Sequence, residues 1–172
     1  AAKTHLAALA CTIVTLSWRS LPGEYRGRMS LGAWADKWAG PRQIATLVTV
    51  SIDAHPYLIG RGRSIALKTG ANTITVKGNR PCWPTWTLTP ASGAKTISIK
   101  DAHGHTLAIA STTAITGRIS IITDPDHREL RVNGNLMAPT LESDYFPLPP
   151  GVHTLALTGC AGILTYRPLT LI

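Results

Sequence analysis

Six histidines, nine carboxylates and three cysteines are the groups in this 172-residue chain that could shuttle protons, attack a carbonyl or hold a metal. Their spacing argues against all three. His103-Gly104-His105 offers two imidazoles, but a metal site needs three or four ligands and no third stands nearby, so the segment reads as a turn with two solvated histidines. Asp124-Pro125-Asp126-His127 lacks the oxygen-rich loop that calcium demands and reads as a hairpin turn. Cys11, Cys82 and Cys160 lie far apart and outside any CxxC or Cys/His spacing. Secreted frameworks use an even and denser set, so three buried, reduced thiols are expected. No GxSxG, HExxH or phosphate loop occurs. No catalytic residue, cofactor site or metal site is assigned, and the chain is expected not to be an enzyme.

Aromatic side chains carry the other usable signal, because they stack on sugars and anchor protein interfaces. Trp86 lies inside a strand pattern and is assigned to the core, whereas Trp83, beside Pro84, is assigned to the surface. Trp34, Trp38, Trp83, Tyr145 and Phe146 are the candidate interface residues.

A formal charge of +8 raises the question of nucleic acid, which a clustered basic patch would answer. The charges are dispersed instead: residues 1–63 hold eight Lys/Arg against three Asp/Glu, and residues 64–172 hold nine against six. Such a surface suits acidic partners without being a dedicated reader. At 44% hydrophobic and 15% charged the chain is expected to fold without disulfides or metals. Lys3 precedes an apolar stretch, but Thr12, Thr15 and Ser17 interrupt it. Neither a signal peptide nor a membrane span is expected there. The absence of an initiating Met suggests a chain that begins inside a longer protein.

The elements that must position these groups are strands. Apolar residues alternate with polar ones in Thr73-Ile74-Thr75-Val76-Lys77 and again in Thr96-Ile97-Ser98-Ile99-Lys100. Leu107 with Ile109, Ile119 with Ile121, Leu130 with Val132 and Leu155 with Leu157 continue the pattern, and Val48, Val50 and Ile52 line one face of a strand over Gln43 to Asp53. Short turn sequences separate the runs, so neighbours should pair antiparallel. Asn133-Gly134 is the clearest, since a two-residue type I′ turn needs positive φ at both positions. Helical signal is nearly absent. Gly32 to Ala39 places Trp34 and Trp38 four apart, which fits a single helical turn or a loop. The fold class is therefore all-β, with two packed antiparallel sheets. A boundary is expected near residues 54–63, giving a small β-rich portion over 1–58, with strands around Thr12 to Trp18, Tyr25 to Leu31 and Gln43 to Asp53, and a sandwich over 59–172.

Four segments, in order, resemble the C-terminal domain of the distal tail proteins of long-tailed bacteriophages: Gly78-Asn79-Arg80-Pro81-Cys82-Trp83-Pro84 running into Leu88; Ile121-Ile122-Thr123-Asp124 with Leu130-Arg131-Val132-Asn133-Gly134; Asp144-Tyr145-Phe146-Pro147-Leu148-Pro149-Pro150-Gly151; and Tyr166-Arg167-Pro168. His153 and Leu169 depart from the family's pattern. The resemblance implies a galectin-like β-sandwich preceded by part of a ring-forming domain. It further implies a homohexameric ring at the tail tip, with the tail tube protein and the tail hub, baseplate or receptor-binding proteins as partners, in a virion assembled in the bacterial cytoplasm. The alternative is a carbohydrate-binding module for surface adhesion, which would use Trp83.

Overall fold

The computed structural model describes residues 2–171. It divides into an N-terminal unit ending at Ile59 and a second unit, Gly60–Leu171.

The N-terminal unit opens with helix α1 (Ala2–Leu9) and continues through β1 (Ile13–Leu16), β2 (Gly23–Ala39), β3 (Arg42–Ala54) and β4 (Tyr57–Gly60). The helix contradicts the expectation that helical signal is nearly absent. Its run of Ala and Leu favours a helix without showing the apolar periodicity that would announce one. Eight residues are marginal alone, and no side chain of α1 is buried. An ion pair from Lys3 Nζ to Asp36 Oδ1 at 2.7 Å ties it to β2. Cys11 follows the helix at φ 61°, its N–H donating to the Met29 carbonyl, and its side chain is exposed, contrary to the buried thiol expected.

Strand β2 is the hub of this unit, pairing with β1, β3 and β4. With β3 it forms a long hairpin whose two-residue loop, Gly40-Pro41, follows the Ala39↔Arg42 pair. Gly40 takes φ 60°, the positive value that the first central position of a II′ turn demands. The segment Gly32 to Ala39 is therefore strand, neither the helical turn nor the loop expected. A spacing of four puts Trp34 and Trp38 on one face in either conformation, and antiparallel pairing with β3 from Trp34↔Val48 to Trp38↔Gln43 decides between them. Bulges interrupt the register between Leu31 and Trp34 and between Lys37 and Trp38. Among its described hydrophobic residues the unit fully buries only Met29 and Leu58.

The second unit runs through β5 (Arg63–Leu67), β6 (Gly70–Val76), β7 (Thr85–Pro90), β8 (Thr96–Asp101), β9 (Thr106–Ala110), β10 (Ile119–Ile122), β11 (Glu129–Val132), β12 (Asn135–Leu136), β13 (Gly151–Thr158), β14 (Cys160–Tyr166) and β15 (Leu169–Leu171). A six-stranded sheet, β12-β11-β10-β7-β14-β5, faces a four-stranded sheet, β6-β13-β8-β9. All the pairings are antiparallel. Alternate residues of both sheets point inward and join one core, including Trp86, Leu88, Ile99, Ile109, Ile121, Leu155, Leu157 and Leu164. The chain is thus all-β apart from α1, with a two-sheet sandwich as its larger part.

Local chemistry fixes the turns. Asn133 and Gly134 take φ 51° and 81° and close β11 onto β12, as type I′ geometry requires. The outer edge of β9 is covered: the Thr140 and Asp144 N–H groups donate to the carbonyls of Ala108 and Thr106, and Ser143 Oγ accepts from the Ala108 N–H. Asn79 clamps β15, its side chain accepting from the Leu171 N–H at 2.8 Å and donating to the Leu171 carbonyl at 2.9 Å.

Candidate assembly surfaces

The chemistry-bearing residues singled out in the sequence fall into structural roles. At the β8–β9 turn, Asp101 Oδ1 accepts the backbone N–H groups of His103 and His105, and its Oδ2 lies 2.7 Å from His105 Nδ1. Burial pushes the Asp101 carboxyl up, but the combined hydrogen bonds from His105 and His103 outweigh it and hold the group below its usual range. The two histidines are thus bound up in one hairpin turn. At the β10–β11 turn, Asp124 Oδ1 accepts the Asp126 N–H, and the Asp124 carbonyl accepts the His127 N–H. Among the described residues no three His, Cys, Asp or Glu side chains converge as a metal site would require. Cys82 and Cys160 are buried and unpaired, and burial pushes both thiols up to about 11.

Two surfaces are built for contact instead. The first is the β2–β3 hairpin of the N-terminal unit, which exposes Trp34, Trp38, Ile44, Leu47 and Val50. Trp38, Ile44 and Leu47 are each more than half exposed, at 59%, 62% and 55%. So many large apolar side chains along one ribbon go beyond the scattered exposure normal for a surface. Trp34 has Lys3 Nζ 5.7 Å from its ring centroid, and Thr46 donates to Asp36 on the same stretch.

The second lies on the sandwich. Backbone bonds between Cys82 and Leu148, at 3.0 and 2.8 Å, hold the Trp83 segment against the Tyr145 segment. Trp83 and Tyr145 are both half-buried, and the exposed Arg128 reaches over both rings, 6.0 and 5.8 Å from their centroids. Burial pushes the Tyr145 phenol up, against the opposing pull of Arg128. Phe146 does not join this surface. It is only 2% exposed, packed 6.2 Å from Trp86 and stacked 5.4 Å from His105, so its expected interface role is corrected to a core role. Tyr145-Phe146-Pro147-Leu148 alternates outward and inward although no strand is formed, and Leu148 follows Phe146 into the core. Arg128 had no sequence signal, since its neighbours come from distant parts of the chain.

Comparison with known proteins follows this architecture. Residues 77–169 match a family model described as the siphovirus-type tail component, C-terminal domain. No curated protein matches the chain. Among solved structures, the chain is similar to the crystal structure of the SPP1 Dit (gp 19.1) protein, presented as a paradigm of hub adsorption apparatus in Gram-positive infecting phages. The TM-score is 0.67 at 19% identity, covering 92% of this chain and 65% of that one, so this likeness speaks to the fold. The chain spans about two thirds of the length of that protein. The family match extends over more than half of the chain and carries the sandwich from Lys77 to Leu169. The chain accordingly belongs to the distal tail family of siphovirus-type tail components, structural proteins of the phage tail.

Proposed function

We propose that this tail component is a non-enzymatic distal tail protein that acts by permanent assembly, joining the tail tube to the host-recognition apparatus at the tail tip. Its N-terminal unit forms a homohexameric ring, and its partners are the tail tube protein and the hub, baseplate or receptor-binding proteins. Assembly takes place in the bacterial cytoplasm before the particle is released.

The observation that carries this reading is the β2–β3 hairpin. Past the β1 pairing at Tyr25 to Arg28, β2 runs on with β3 as a ribbon, which is marginal in water unless something packs on it, and this one leaves Trp38, Ile44 and Leu47 mostly uncovered. A neighbouring copy supplies the missing surface in a ring. Trp34 and Trp38 are then interface anchors, as large aromatics with little entropy to lose. Arg128 lies against the rings of Trp83 and Tyr145 on which a sugar would stack, which favours a charged protein contact there over the carbohydrate-binding alternative.

Mass measurement in solution, together with negative-stain imaging of the full-length protein, tests the proposal. The expected outcome is a closed ring that dissociates on double substitution of Trp38 and Leu47 by Ser. A strictly monomeric protein without affinity for tail tube subunits would remove the reading, and a monomer that binds neutral glycans through Trp83 would replace it.

A further inference from the structure

The β10–β11 turn, the Trp83 segment and the Tyr145 segment bring together an arginine, a tryptophan and a tyrosine whose arrangement no turn or strand requires. Arg128 is exposed, yet its guanidinium is placed by two half-buried rings from separate parts of the chain. Among the described residues it has no ion-pair partner. Its neighbours explain why. Glu129 is engaged by Arg131 Nε at Oε1 and by the Arg131 terminal nitrogen at Oε2, 3.2 Å away, while His127 Nε2 approaches it at 3.6 Å. Asp124 is occupied by the Asp126 N–H. Glu129, the carboxylate next to Arg128 in sequence, is thus turned to other donors.

We propose that Arg128, held between Trp83 and Tyr145, is the docking point for an acidic segment of a protein partner, binding a carboxylate through the guanidinium edge. Arginine presents a planar fork matched to a carboxylate. Two aromatic rings within about 6 Å of its Cζ restrict the side chain beforehand, which lowers the entropy lost on binding. Arg, Trp and Tyr are also the residue types that dominate interface energetics. A chain of formal charge +8 attracts an acidic partner at long range. That the carboxylate comes from a protein rests on the assembly reading above; that the site takes a carboxylate rests on the geometry alone.

The experiment uses the full chain, labelled with ¹⁵N, and two capped tetrapeptides: Gly-Glu-Asp-Gly and its neutral counterpart Gly-Gln-Asn-Gly. The readout is the Trp83 indole N–H resonance, assigned by Trp83→Phe. A saturable shift with the acidic peptide and none with the neutral one is expected, weakening as salt is raised. Arg128→Gln should weaken binding about tenfold or more, and Arg128→Lys should give an intermediate loss, because it keeps the charge and loses the fork. Both variants alter an exposed side chain, and an unchanged unfolding midpoint confirms that the fold persists. Equal binding by Arg128→Gln overturns the proposal. So does saturation by inorganic phosphate without any response to the acidic peptide, or a Trp83 shift caused by a neutral trisaccharide. A ring that fails to form while this titration succeeds would sink the assembly reading and leave the carboxylate site standing.

Discussion

The two regions of this chain draw on the same residues, Thr, Val, Ile, Leu and Ala in alternation, and bury them to opposite extents. In the sandwich, β13 alternates between exposed and buried from Val152 to Thr158, and its inward residues meet those of the facing sheet. In the hairpin, β3 half-buries Thr46, Val48, Ile52 and Ala54 among exposed neighbours, and no position on it is fully buried. Twenty-one described residues form the sandwich core, against the two apolar residues, Met29 and Leu58, fully buried in the N-terminal unit. Alternation therefore reports which face of a strand is apolar. It does not report whether the covering surface lies in the same chain.

The sharpest way to break the comparison is to cut one apolar side chain from each region. Leu157, 1% exposed in β13, should cost about 2–5 kcal/mol on substitution by Ala, because the sandwich cannot collapse into the space left. Leu47→Ala, at 55% exposure on the hairpin, should stay within about 0.5 kcal/mol in the isolated chain. It should instead weaken ring formation. Urea unfolding midpoints at one protein concentration, paired with mass measurement, read both effects. A Leu47→Ala chain that unfolds as early as Leu157→Ala would mean that the hairpin is already packed within one copy.

The same contrast explains what could be seen beforehand. Asn133-Gly134 needs positive φ at both positions and has it, and Ile97 with Ile99 and Leu107 with Ile109 enter the core as their alternation implies. Such features are local, so the sequence carries them. The Trp34–Trp38 spacing misled because four residues return to the same face in a helix and in a strand, and only the partner strand β3 distinguishes them. Helix α1 stayed hidden because a short Ala-rich run has propensity without periodicity. Phe146 looked like a surface aromatic in a Pro-rich corner, yet it fills space between Trp86 and His105. The Arg128 site was invisible because its three residues meet only once the sandwich is closed.

Thiol chemistry sharpens the comparison next, since each region holds free cysteine. Cys82 and Cys160 lie in the sandwich core with thiols pushed up to about 11 by burial, so almost no thiolate exists at neutral pH and reagent cannot reach it. Cys11 is exposed in the N-terminal unit. Titration with a disulfide reagent should modify one thiol in the native chain and all three in denaturant. The slow pair should then react at the rate of global unfolding of the sandwich. Rapid modification of two or three native thiols would show that the core opens locally around Cys82 or Cys160.

The smallest effect expected concerns two carboxylates, one in each region, that are both held below their ordinary range. Asp36, on the hairpin, is lowered first by the hydrogen bond from Lys3 and then by Thr46, in a solvent-exposed setting that screens the interaction. Asp101 is opposed by burial, its side chain being 5% exposed, and is nonetheless lowered by the His105 and His103 hydrogen bonds. A carboxyl whose folded value lies below 3.8 stabilises the fold fully above that pH and loses the contribution as pH falls through the folded value. The stability gap between the native chain and Asp101→Asn should therefore be open at neutral pH and narrow as pH drops below 3.8, measured by urea midpoints across the acid range. Asp36→Asn should show a smaller gap that added salt removes, because its partner Lys3 is solvent-exposed. A gap for Asp101→Asn that stays constant into acid would mean that the turn is held by its backbone geometry rather than by the charge it encloses.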